Sequence, residues 1–271
     1  MRKLDHPVVD DDDLLNQLRA SRSPHAVQVS TRHDEILDRY RLYRQHQGNP
    51  WTVAEDATFE PLRASLNHLY QYPPKALGFI DSLRTQVEGA CPVCGRDGVG
   101  TLDHYLPKAD YSEFSFLSVN LVPACSRCNT ARKNLVRGAN AGERPLHPYF
   151  DGFARSRVMT IRAEPDWRAP RLTPVPWGVV DDELAVVQWH IQNVVRPSGI
   201  DTYLAHLWGS LTRRPQVFLG TEANRNAVHA QLLRHVDLEE AVGGSPNAWR
   251  ACFYHGLLTN DDALDYLVSL L

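Results

Sequence analysis

Two C-x2-C pairs, Cys91/Cys94 and Cys125/Cys128, constrain this chain more than any other feature of its sequence. The pairs are 30 residues apart, and each can place two thiolates on one tetrahedral zinc ion. Four sulfur ligands leave such an ion no open position, so the zinc would fix a turn and a helix start instead of activating water. Cys252 is left over, and an odd count with this spacing argues for metal in a reducing compartment and against disulfides.

With 271 residues the chain can bury a full core, so it does not need metal merely to fold. Its 43% hydrophobic and 23% charged residues exclude disordered and fibrous classes. No apolar run approaches the roughly 18 to 20 residues of a membrane helix, and the start MRKLDHPVVDDDD lacks an apolar signal segment. The expectation is a cytoplasmic protein with no membrane partner. A net charge of -3 does not favour a polyanionic partner, so the local distribution of charge has to decide.

Residues 8–48 have helical spacing, with Asp10 to Asp13 read as a solvated helix start and Ile36, Leu37, Tyr40 and Tyr43 on one later stripe. FEPLRASLNHLYQY and PKALGFIDSLRTQVEG add two helical patterns divided by Pro73 and Pro74. The Gly-rich segment 91–104 predicts a hairpin, and a helix is expected from near Cys125 through Lys133. RVMTIRA and AVVQWHIQN alternate in the manner of strands, on either side of a proline-rich stretch at 165–176. From Gly199 onward helical spacing returns, and His190, His206, His255, Trp189 and Trp208 read as core or surface residues. These patterns predict a mostly helical α+β chain in three regions: helical 1–88, a zinc-stapled module 89–150, and mixed then helical 151–271.

Between the cysteine pairs lie TLDHYLPK and SVNLVPACSRCNTARK, and over about 60 residues this stretch resembles the HNH, or ββα-metal, endonuclease family. The family's Asp-His, central Asn and final helix ligand match Asp103, His104, Asn120 and Asn129, with Asn129 standing where the pattern has histidine. The chemistry agrees with the match. Phosphodiester hydrolysis needs a base for water and a cation for the charge that develops on phosphate. Histidine suits the base, while Asp103 and Asn129 offer hard oxygens suited to magnesium or manganese. The resemblance gives Asn120 the task of tying the loop together and orienting the base. It also brings His147, in the tail RPLHPYFD, towards the metal or scissile phosphate.

Arg127, Arg132, Lys133, Arg137 and Arg144, opposed only by Glu143, form a basic cluster read as phosphate contacts. The resemblance further implies double-stranded DNA as substrate, and a role in bacterial anti-phage defence beside an ATPase partner. The other reading is a catalytically silent zinc module that docks nucleic acid or a protein.

Overall fold

The computed structural model describes residues 1–85 and 88–271; Gln86 and Val87, at the end of the PKALGFIDSLRTQVEG pattern, lie outside the described residues. The N-terminal region is helical as its spacing predicts: α1 (Asp11–Arg19), α2 (Pro24–Ser30), α3 (His33–Gln45), α4 (Arg63–Gln71) and α5 (Phe79–Thr85). Asp10 caps α1 by accepting from the Asp13 N–H at 3.0 Å. Asp11 departs from the expected solvated start. It is buried, and its carboxylate accepts from Ser118 N, Ser118 Oγ and Arg44, each at 2.9 Å, tying α1 to the loop that enters the central module.

That module runs strand, strand, helix: β1 (Thr101–His104), β2 (Leu121–Ala124) and α6 (Ser126–Arg132). The strands are antiparallel, pairing Thr101 with Ala124 and His104 with Leu121. The expected hairpin at 91–104 is therefore not what forms. There the chain makes one isolated bridge, Ala90 to Asp97, because residues 91–96 are taken up in a tight turn closed by Cys91 N to Arg96 O at 2.6 Å and Gly95 N to Cys91 O at 2.8 Å.

A second antiparallel pair follows, β3 (Met159–Glu164) with β4 (Arg171–Pro176). The AVVQWHIQN stretch, expected as a strand, is instead the end of α7 (Asp181–His190) and a π-helical turn at Ile191–Val195. Three acidic residues in the first turn of α7 favour a helix there. Buried Val186, Val187, His190, Ile191, Val194 and Val195 recur at three- and four-residue steps, a helical period hidden under a short alternation. Then come α8 (Ile200–Arg213), α9 (Pro215–Leu219), α10 (Arg225–Gly243), α11 (Trp249–Leu258) and α12 (Asp261–Val268), as the C-terminal periodicity predicts. Among the described residues no helix is long and apolar enough to cross a membrane.

One apolar core runs from Met1 to Leu267, through all three regions. Helix α11 lies flat on β3: a Cβ on Gly256 would stand 1.9 Å from the Ile161 carbonyl oxygen. Gly256→Ala is therefore expected to cost at least about 1–3 kcal/mol and to lower the melting temperature by several degrees. Gly209→Ala, where a Cβ meets nothing within 4 Å in α8, is expected to raise stability by about 0.5–1 kcal/mol. Thermal melts of the two variants check this, and equal melts would refute the packing described.

Candidate metal centre and adjoining catalytic face

Cys91 and Cys94 sit in the tight turn, Cys125 caps α6, and Cys128 lies three residues on, on the same face of that helix. The four sulfurs lie within 4.8 Å of one another. Cys91–Cys128 is 4.0 Å and Cys94–Cys125 is 3.8 Å. A disulfide needs about 2.05 Å, whereas a tetrahedron with Zn–S of about 2.3 Å has S···S edges of about 3.8 Å. The cluster therefore fits a zinc ion. Main-chain N–H groups point at the sulfurs, Arg96 N to Cys94 Sγ at 3.4 Å and Cys125 N to Cys91 Sγ at 3.3 Å, which favours thiolates. Hydrogen bonding among the sulfurs draws the Cys91 and Cys125 thiols down, while burial and the neighbouring sulfurs push those of Cys94 and Cys128 up.

The C-terminal region clasps this turn. Trp249 Nε1 donates to Cys94 O at 2.6 Å and its N–H to Gly95 O at 2.9 Å, and Ser198 Oγ stands 3.3 Å from Cys128 Sγ. Gly95 has φ +87°, and a Cβ there would meet Asn247 O at 2.2 Å, so no other residue fits the turn.

Helix α6 lies along β1. Asn129 Nδ2 donates to Leu102 O at 3.2 Å, leaving Oδ1 without a partner among the described residues. One turn on, Arg132 Nε donates to Asp103 Oδ2 at 3.1 Å, with the ion pair at 2.9 Å, and its other nitrogens reach the carbonyls of His104 and Tyr105. Burial raises the Asp103 carboxyl pKa while Arg132 opposes it. Asp103 and His104 are each 8% exposed, and neighbouring strand residues diverge: Asp103 turns to α6, while His104 packs edge-on against Tyr70 of α4 with ring centroids 4.5 Å apart.

His104 Nε2 lies 2.9 Å from Ser115 O. A carbonyl can only accept, so Nε2 carries the proton and the neutral ring holds its lone pair on Nδ1. Burial, chiefly, pushes the imidazolium pKa down to about 3, so the ring is neutral near pH 7. Asn120, fully buried, uses its whole amide: Oδ1 accepts from Leu106 N at 2.8 Å and Tyr43 Oη at 3.0 Å, and Nδ2 donates to the carbonyls of Leu106 and Phe114 at 3.0 and 3.1 Å.

Three expected contacts require correction. Arg132 is 3% exposed and committed to Asp103, so it is an internal staple and not a nucleic-acid contact. His147 is fully buried, accepting from Tyr149 N at Nδ1 (3.2 Å) and meeting Tyr43 Oη at Nε2 (3.0 Å), so both nitrogens are engaged in the interior. Arg144 likewise forms a bidentate pair with Asp151, both contacts at 2.7 Å. Arg127, Lys133 and Arg137 remain exposed, Arg137 with its guanidinium over Trp51. Tyr70 borders His104 and carries Lys108 on its ring, neither residue having been singled out in the sequence. Lys108 follows His104 by four residues in DHYLPK, but nothing in α4 marks Tyr70.

No known protein family matches the chain, and no solved structure matches it. It is similar to Protein ea31 of Escherichia phage lambda, 25% identical over 213 residues that span 72% of this chain and 70% of that protein.

Elemental analysis is expected to find one zinc per chain, and Cys91→Ser or Cys125→Ser to lose it and loosen the module while the flanking helices persist. A metal-free protein with an unchanged melt would contradict the site. Asn120→Ala is expected to cost about 3 kcal/mol or more, since it strands the buried N–H and carbonyl of Leu106 and takes a donor from Phe114 O; a denaturant midpoint like that of the parent would show that the amide is not the hub described.

Proposed function

We propose that this chain is a divalent-metal-dependent nuclease of the HNH type. The observation that carries the reading is the orientation of His104: Nε2 is fixed on a main-chain carbonyl and the lone pair stands on Nδ1, at the end of the strand that bears Asp103. That gives a general base one defined acceptor atom.

Asp103 and Asn129 would hold magnesium or manganese, each offering an oxygen without a side-chain partner among the described residues. The ion, when bound, supplies positive charge for the phosphate undergoing attack. His104 Nδ1 takes the proton from the attacking water, Ser115 O holds the opposite edge of the ring in register, and Asn120 fixes the loop from which that carbonyl comes. Attack with departure of the 3' oxygen gives 5'-phosphate and 3'-hydroxyl ends. The cysteine cluster, a closed sulfur site, takes no part in the chemistry. The resemblance to HNH enzymes extends the proposal to double-stranded DNA as substrate, and to anti-phage defence beside an ATPase.

One observation favours a second reading, a silent zinc module: the Asp103 carboxylate already has a counter-ion in Arg132, as a purely structural residue would. Plasmid cleavage separates the two. The zinc-loaded protein is expected to nick plasmid only when magnesium or manganese is added. His104→Ala is expected to lose about a hundredfold or more in rate with zinc content and fold intact. Cleavage by His104→Ala at the parental rate would overturn the mechanism, and an inert parent protein would support the silent module.

A further inference from the structure

A site for phosphodiester hydrolysis needs a cation that grips the substrate, and two arginines on hand for it, Arg132 and Arg144, are spent on Asp103 and Asp151. Lys108 is not so committed. It is half-buried, and no carboxylate lies within ion-pair distance among the described residues. Burial lowers its pKa, the cost of an ammonium taken from water without a counter-ion.

Its position is fixed from both sides. The Lys108 Nζ lies 4.5 Å from the centroid of the Tyr70 ring, a cation–π contact, and the same ring packs on His104 at 4.5 Å. Those two steps put the ammonium no farther than about 9 Å from the imidazole centre. The turn carrying Lys108 is rigid: Asn120 holds both main-chain groups of Leu106, and Pro107 O accepts from Asp110 N at 3.0 Å and Tyr111 N at 2.8 Å.

We infer that Lys108, seated on Tyr70, binds a phosphodiester of the nucleic-acid substrate beside His104, with Tyr70 a positioning residue for both. This rests on the nuclease reading above, but its test can be read without cleavage. The zinc-loaded full chain carrying His104→Ala is titrated with a fluorescein-labelled DNA duplex in magnesium buffer over a range of potassium chloride. Adding Lys108→Ala is expected to raise Kd about tenfold and to lower the slope of log Kd against log salt by about one. Lys108→Arg is expected to restore both. Arg171→Ala, exposed on β4, is expected to change neither.

With His104 intact, Lys108→Ala is expected to raise KM more than it lowers kcat. Tyr70→Phe, which keeps the ring, should behave as the parent, and Tyr70→Leu should shift KM as Lys108→Ala does and also lower kcat. Zinc content and circular dichroism report folding of each variant, and Lys108→Met, closer in shape, replaces the alanine variant if that one unfolds. A Kd and salt slope unchanged in a folded Lys108 variant, or the same slope loss in Arg171→Ala, overturns the inference. If the parent binds duplex but never cleaves it, only the nuclease reading falls, and the Lys108 comparison still stands. A parent that binds no DNA overturns both.

Discussion

Four cysteine sulfurs packed within 4.8 Å of one another are the arrangement that ties the central module to the C-terminal helices. As thiolates they would repel each other and demand a cation; as thiols they would leave four weak hydrogen-bonding groups, three of them fully buried, crowded on one another. A zinc ion would resolve both problems, and its binding energy would then become folding energy for what is attached to it. What is attached is extensive. Cys125 and Cys128 set where α6 starts, the turn of Cys91 to Gly95 offers the carbonyls that receive Trp249, and Ser198 packs on Cys128. The cysteine module and the C-terminal helices are thereby held by the same few atoms.

From that start the path to His104 is short. With α6 fixed, Asn129 and Arg132 hold β1 from Leu102 to Tyr105, so the strand end carrying Asp103 and His104 has little freedom. Asn120 closes the loop from the other side, joining Leu106, Phe114 and Tyr43 through one side chain. The N-terminal helices contribute the back wall: Tyr43 from α3, Tyr70 from α4, and Asp11, which accepts two hydrogen bonds from Ser118. An imidazole held on a carbonyl at one nitrogen and free at the other thus depends on contacts from both sides of the module.

Much of this was legible in the sequence wherever local pattern decides the outcome. The C-x2-C pairs, the N-terminal helices and the helices after Gly199 lie where their spacing puts them. The pattern misled where a tertiary partner overrides it. The Gly-rich stretch after Cys91 looked like a hairpin, but its backbone is used to wrap the cysteines, and β1 pairs with a strand across a long loop. AVVQWHIQN alternates over too few residues to reveal its helical period. Charge misled in the same way: Asp11, Arg132 and His147 are polar in type yet buried, because each has partners distant in sequence that periodicity cannot see. Tyr70 comes to His104 from a separate helix, so no motif in DHYLPK could announce it.

The central proposal is that two metals would have separate places, zinc among the sulfurs and a hydrolytic cation at Asp103 and Asn129, with His104 next to Asp103 in the strand. Manganese titration of zinc-loaded, histidine-labelled protein followed by NMR addresses it directly, because a bound paramagnetic ion broadens the rings nearest to it. The account predicts that the His104 resonance broadens before those of the chain's other 11 histidines while the zinc content stays constant. Broadening with no preference for His104, or zinc released as manganese binds, would contradict it.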